Sequence, residues 1–234
     1  MSAQIMSPQP WFRRLLLLLA GILGVQAAWT VTAELVRSPR SGFPADVAAA
    51  SAAAPRRSTT LWAARFGLVR GDLWAEHALT YADLMWSHPR SDTDIDGPQM
   101  IARARAAAVR ALLNAPHDAR IWLLLASLES RFDWLNGKAA AALRMSHYTG
   151  PNERELIPLR LLVSVQSGAL ADAELRDLLQ TEIRTIIRRR PELKPAIVSA
   201  YREGLPAGRR LIEKTLAELD PTLLSLVRPA EGSR

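Results

Sequence analysis

The chain has 234 residues, 49% of them apolar and 23% charged, with a formal net charge of +7, four histidines and no cysteine. A disulfide scaffold, cysteine-ligated zinc, iron–sulfur chemistry and a cysteine nucleophile are thereby excluded. An ordinary charged fraction beside a high apolar fraction also excludes an intrinsically disordered chain and permits one domain of ordinary size with a buried core.

Residues 1–10 are polar and proline-containing, Arg13 and Arg14 follow, and residues 15–33 then carry no charge and open with five leucines. About 20 residues at 1.5 Å each cross a hydrocarbon core, so a single membrane-spanning helix is expected over 15–33. The arginine pair ahead of it predicts a cytoplasmic N-terminus and a chain that continues on the far side, although Arg37 and Arg40 weaken that bias. A secretory signal peptide shares this pattern, and Val25-Gln26-Ala27 offers a small-x-small cleavage site. Both readings place the remainder in the same compartment. A buried soluble helix fits less well, because the other helical segments are amphipathic and the run is apolar on every side.

Residues 34–58 contain Pro39, Pro44 and Pro55 among small residues and show no sustained apolar face, which predicts a flexible linker. The folded part, 59–228, is predicted to be all-α, with about eight or nine helices and a disordered tail over 229–234. Ser58-Thr59-Thr60 is a suitable helix start, and residues 73–86 place Leu73, Trp74, Ala78, Tyr81, Ala82, Met85 and Trp86 on one stripe, completing a hairpin. Further helices are expected over 99–114, 118–131, 136–146, 153–165, 172–190, 191–203 and 206–219, each bounded by glycine, proline or a capping residue. Alternating β-branched runs are absent, so no strand is expected.

One spacing stands out among these helices. Ala104, Ala108 and Ala111 recur at intervals of four and three, Pro116 follows five residues later, and Trp122, Leu125 and Ala126 begin six residues after that proline. This register resembles the tetratricopeptide repeat, in which small residues on one helix let its neighbour approach, a proline closes the unit and a large aromatic opens the next. The resemblance covers about residues 100–146 and weakens elsewhere: Ala139, Ala142 and Leu143 continue it about one residue late, and the closing proline is displaced to Pro151. It implies antiparallel helical hairpins that offer a surface to another protein. A plain helical bundle whose alanines only reflect composition is the alternative.

Motifs for catalysis are scarce. His77, His88, His117 and His147 lack the three- or four-residue spacing that sets two imidazoles on one helix face, and His77, beside Glu76, reads as a solvated or partly satisfied side chain. Asp92-Thr93-Asp94-Ile95-Asp96-Gly97 begins like a calcium loop, but Arg103 stands where the bidentate glutamate belongs. With no phosphate loop, nucleophile elbow or His-Glu-x-x-His motif, no cofactor and no metal are expected. Arg188, Arg189 and Arg190 form a candidate patch for an anionic glycan or lipid headgroup, although arginines at a helix C-terminus are already favourable to its dipole. Interspersed acids argue against nucleic acid.

The expectation is a non-catalytic, single-pass bacterial inner-membrane protein whose periplasmic helical domain scaffolds a cell-envelope assembly, of polysaccharide or secretion type, by binding another envelope protein. An envelope glycan hydrolase or transglycosylase with two acids converging in a cleft is the alternative, as is a cytoplasm-facing, membrane-tethered regulator.

Overall fold

The computed structural model of the chain describes residues 10–35, 43–44, 46–85, 97–132 and 137–228. Every regular element among them is helical. The first, α1 (Pro10–Leu35), carries the uncharged run, and Pro10–Thr32 is long and apolar enough to cross a membrane, with none of its apolar window buried.

The next segment departs from the expected linker. Residues 36–42 and 45 lie outside the described residues, but α2 (Val47–Ala53) is a helix capped by the Asp46 carboxylate, which accepts from Ala49 N at 2.8 Å. Ala50 and Ala53 are buried, as is Phe43. An alanine helix has high intrinsic propensity and approaches its neighbours closely, so it packs without the large apolar stripe that betrays most helices in sequence. A single helical turn, Ala54–Arg56, leads directly into α3 (Arg57–Gly67). Ser58 therefore lies inside α3 rather than at its cap. The expected hairpin partner is also shorter: α4 (Gly71–Leu79) stops, and Ala82–Met85 forms a tighter turn. Arg57 holds this corner together, donating to both Asp83 oxygens at 2.7 Å and to the Thr80 carbonyl at 3.1 Å. Trp86 and the aspartate string 92–96 lie outside the described residues.

From α5 (Gly97–Asn114) onward the expected helices and the structure run in step: α6 (Ala119–Phe132), α7 (Lys138–Thr149), α8 (Ile157–Gln166), α9 (Ala173–Arg189), α10 (Lys194–Glu203) and α11 (Pro206–Leu219). A last helix, α12 (Pro221–Val227), was not expected; Asp220 caps it by accepting from Leu223 N at 3.0 Å. With α2 and α12, eleven α-helices follow α1 among the described residues, against the eight or nine expected. The candidate tail 229–234 lies outside the described residues, as do residues 1–9.

Packing changes character along the chain. Helices α3 to α7 each pack on the next in sequence, whereas α8 packs on α10 and α11, and α9 on α11 and α7. Two apolar cores result, one holding α2 to α7 and the other α10 to α12. α8 and α9 serve both. Leu159 and Val163 of α8 point into the first core while Ile157, Leu161 and Val165 point into the second, which is why α8 reads as apolar almost all round. The second core depends on a close approach: a Cβ on Gly208 would lie 2.6 Å from Val165 Cβ and 2.9 Å from its Cα, so α11 meets α8 there only because the residue is glycine.

Candidate functional site

A cleft of about 640 Å³ opens where the start of α4, the α5–α6 turn and the turn after α7 meet. Its walls include Phe43, Asp72, His117, Asp118, Glu153 and Glu155. Gly71 sets the width at one end, because a Cβ there would fall 2.6 Å from Ala115 Cβ and 2.8 Å from the Asn114 carbonyl oxygen. Several of the acids are already engaged. Arg120 donates to Asp118 Oδ1 at 3.0 Å and Oδ2 at 2.6 Å, a two-pronged pair that also raises the arginine's affinity for its proton. Asp72 is held likewise by Arg70, whose Nη2 lies 2.6 Å from Oδ2. Glu153 has its pKa raised by loss of solvent against the cleft wall, opposed by the positive charge of Arg160 and reinforced by Asp118. Among the described residues no group of three or more His, Asp or Glu side chains is placed to hold a metal ion.

A buried polar cluster lies behind this cleft, between the two apolar cores. Arg160, in the middle of α8, is fully buried; it donates to Ser146 Oγ at 3.0 Å, to the Ser146 carbonyl at 2.6 Å and to the Gly150 carbonyl at 2.8 Å. Its Nη1 stands 3.7 Å from Glu182 Oε1 on α9, and His147 Nε2 on α7 stands 3.9 Å from Glu182 Oε2. Both separations exceed hydrogen-bond length, so Arg160 Nη1, His147 Nε2, Glu182 Oε2 and the nearby Ser164 Oγ are buried without a hydrogen-bond partner. Burial pushes the Glu182 carboxyl up to about 7 against the pull of Arg160, and pushes His147 down to about 4, with Arg160 adding to the fall. The arginine itself is lowered by burial. This cluster ties α7, α8 and α9 together where the packing order changes.

The residues singled out from sequence are found in several places. Ala104, Ala108 and Ala111 lie fully buried on α5, and Leu125 and Ala126 are buried on α6. Trp122 is half-buried against the first core and its Nε1–H donates to the carbonyl of exposed Pro116 at 2.7 Å. None of these lines the cleft. Arg13 and Arg14 are exposed in the first turns of α1. Arg188 and Arg189 are exposed in the last turn of α9, and Arg190, half-buried just past it, acts with its charge on Glu182. His77 is partly satisfied rather than solvated: it is buried on α4, its Nδ1 3.2 Å from Thr60 Oγ1 and its ring edge-on to Tyr81, and burial lowers its pKa to about 4. His117 sits in the α5–α6 turn on the cleft wall. His88 lies outside the described residues. Sequence reasoning missed Arg160 and Glu182, although a lone arginine inside Ile-Pro-Leu-Arg-Leu-Leu-Val is a visible anomaly. No family model, curated protein or solved structure compared with this chain matches it.

Proposed function

We propose that the chain is a membrane-anchored, non-catalytic interaction domain: α1 spans the bacterial inner membrane, and the helical body stands in the periplasm and binds another protein of a cell-envelope assembly through its cleft. The observation that carries this reading is the bare apolar surface of α1. A 23-residue stretch of α1 whose apolar window is wholly unburied is costly in water and suits lipid. Arg13 and Arg14 at its start favour retention of that end on the cytoplasmic side.

The cleft offers a charged wall to a partner. Asp118 and Asp72 are engaged by arginines, leaving Glu153 and Glu155 to present negative charge. Such a wall suits a basic segment of a partner. The successive packing of α5, α6 and α7, with small residues on α5, supports reading them as tetratricopeptide-like units. Alkaline carbonate washing of membranes bearing the full chain tests the anchor, and the chain should stay in the membrane fraction. Release into the supernatant would refute it. A photo-crosslinker at Ala115 should give an adduct that Glu153→Lys with Glu155→Lys abolishes; an adduct unaffected by the reversal would refute the acidic docking wall.

A further inference from the structure

The turn between α3 and α4 stands against the end of α1, and its depth follows from helix geometry. Arg14 and Glu34 bracket the uncharged run of α1, and 20 steps of 1.5 Å put them about 30 Å apart, the thickness of a hydrocarbon core. Trp29 lies five residues before Glu34, about 7.5 Å inside that boundary along the axis. The body is fixed at this level. Trp29 Nε1–H donates to the Phe66 carbonyl at 2.6 Å, the two rings meet edge-on at 6.1 Å, and Arg70 Nη1 pairs with Glu34 at 2.8 Å just above.

Between Phe66 and Arg70 the chain exposes its apolar side chains instead of burying them. Leu68 is 62% exposed and Val69 81% exposed, while Trp62, one turn back on α3, is 54% exposed. Leu68 also holds a positive φ of 46°, which a leucine rarely adopts. Trp74 Nε1–H donates to the Leu68 carbonyl at 2.9 Å, holding that strained backbone in place. Strain of this kind persists where the surroundings enforce it, and here it coincides with two outward apolar side chains beside the anchor. Arg65 lies with its guanidinium 5.5 Å from the Trp62 ring centre, the pairing of aromatic face and cation that suits a headgroup layer.

The geometry points to a lipid-contacting turn: Trp62, Leu68 and Val69 sit in the interfacial layer of the bilayer that α1 crosses, so the body lies against the membrane instead of swinging on a tether. The apolar surface of α1 runs on through Trp29 to Phe66 and this turn, which is why the occupant is lipid. Gly71 and Asp72 follow the turn directly and line the cleft, so a partner reaching the cleft does so next to the headgroups.

This inference rests on α1 as a membrane span, and the test separates the two. The chain has no cysteine, so single cysteines at Ile22, Val69 and Leu226 take an environment-sensitive fluorophore without other changes. Val69 and Leu226 are exposed and Ile22 lies on unburied α1, so none of the three alters packing. The full chain is placed in phosphatidylethanolamine–phosphatidylglycerol vesicles, with acyl-chain-brominated lipid or aqueous iodide as quencher. Ile22→Cys and Val69→Cys should be quenched by brominated lipid, each about threefold or more beyond Leu226→Cys, which iodide alone should reach. Val69→Cys reached only by iodide, with Ile22→Cys quenched by lipid, would overturn the inference and leave the span intact. A Val69→Cys label shielded from both quenchers would mean that a second copy or another protein covers the turn, which also overturns it. Ile22→Cys reached by iodide would overturn span and inference together.

Discussion

Replacing Arg160 with methionine removes the centre of the buried cluster while keeping most of its volume. The arginine makes three hydrogen bonds to α7 and the turn after it and faces Glu182 at 3.7 Å. Deleting one member of a buried charge pair costs about 3–5 kcal/mol, because the remaining charge and the carbonyls it satisfied stay buried without partners. The loss should also depend on pH. Glu182 stands at about 7 with Arg160 beside it and above that without it, while its unfolded value is that of an ordinary glutamate. At pH 5 the carboxyl is protonated in both proteins. At pH 8 the variant must hold a proton that the parent has released, which adds up to about 1.4 kcal/mol for one pH unit. Urea denaturation of the full chain in mild detergent, followed by circular dichroism and tryptophan fluorescence, reads both quantities. Adding Glu182→Leu to Arg160→Met should recover about 2 kcal/mol or more, since a buried charge without a partner is then replaced by apolar contact. An Arg160→Met variant within about 1 kcal/mol of the parent, or one that Glu182→Leu fails to rescue, would refute the coupling drawn between α8 and α9.

Stability should rise with pH between about 4 and 6.5, because His77 and His147 are both lowered to about 4 by burial and the unfolded chain binds their protons first. Glu182 acts the other way between about 4.5 and 7, so the net gain is that of about one histidine, on the order of 3 kcal/mol; a flat or falling urea midpoint across that range would contradict the burial of these imidazoles. Ala108→Leu should destabilise by about 1–3 kcal/mol through overpacking of a fully buried site, whereas Leu226→Ala on the surface should change the midpoint little. Gly71→Ala should cost at least about 1 kcal/mol, since its Cβ meets the backbone of Asn114, while Gly24→Ala, with open space around it, should be tolerated; equal effects in thermal melts would be inconsistent with the close wall of the cleft.

Most helices were legible because their apolar residues recur at three and four and their ends carry caps, as Asp172 does by accepting from Leu175 N at 2.9 Å. Helix α2 escaped because alanine gives propensity without contrast, and its burial depends on partners distant in sequence. Residues 73–86 carry a continuous stripe, yet the helix stops at Leu79, and the Arg57 bonds to Thr80 and Asp83 hold the chain in its other course. The candidate site was harder to read. Glu153, Asp118 and Asp72 come from three separate segments, and no spacing along a chain announces that they share a cleft. The same holds for Arg160 and Glu182, where one half of the pair was visible as a charge in an apolar run and the other was hidden among the many acids of α9.

The proposed role requires α1 to cross a membrane with Arg13 and Arg14 on the cytoplasmic side and the body beyond. A reporter fused after Arg234 measures this most directly. Alkaline phosphatase at that position should be active and a fluorescent protein requiring the cytoplasm should be dark; a bright fluorescent fusion with inactive phosphatase would contradict the topology and the periplasmic role built on it.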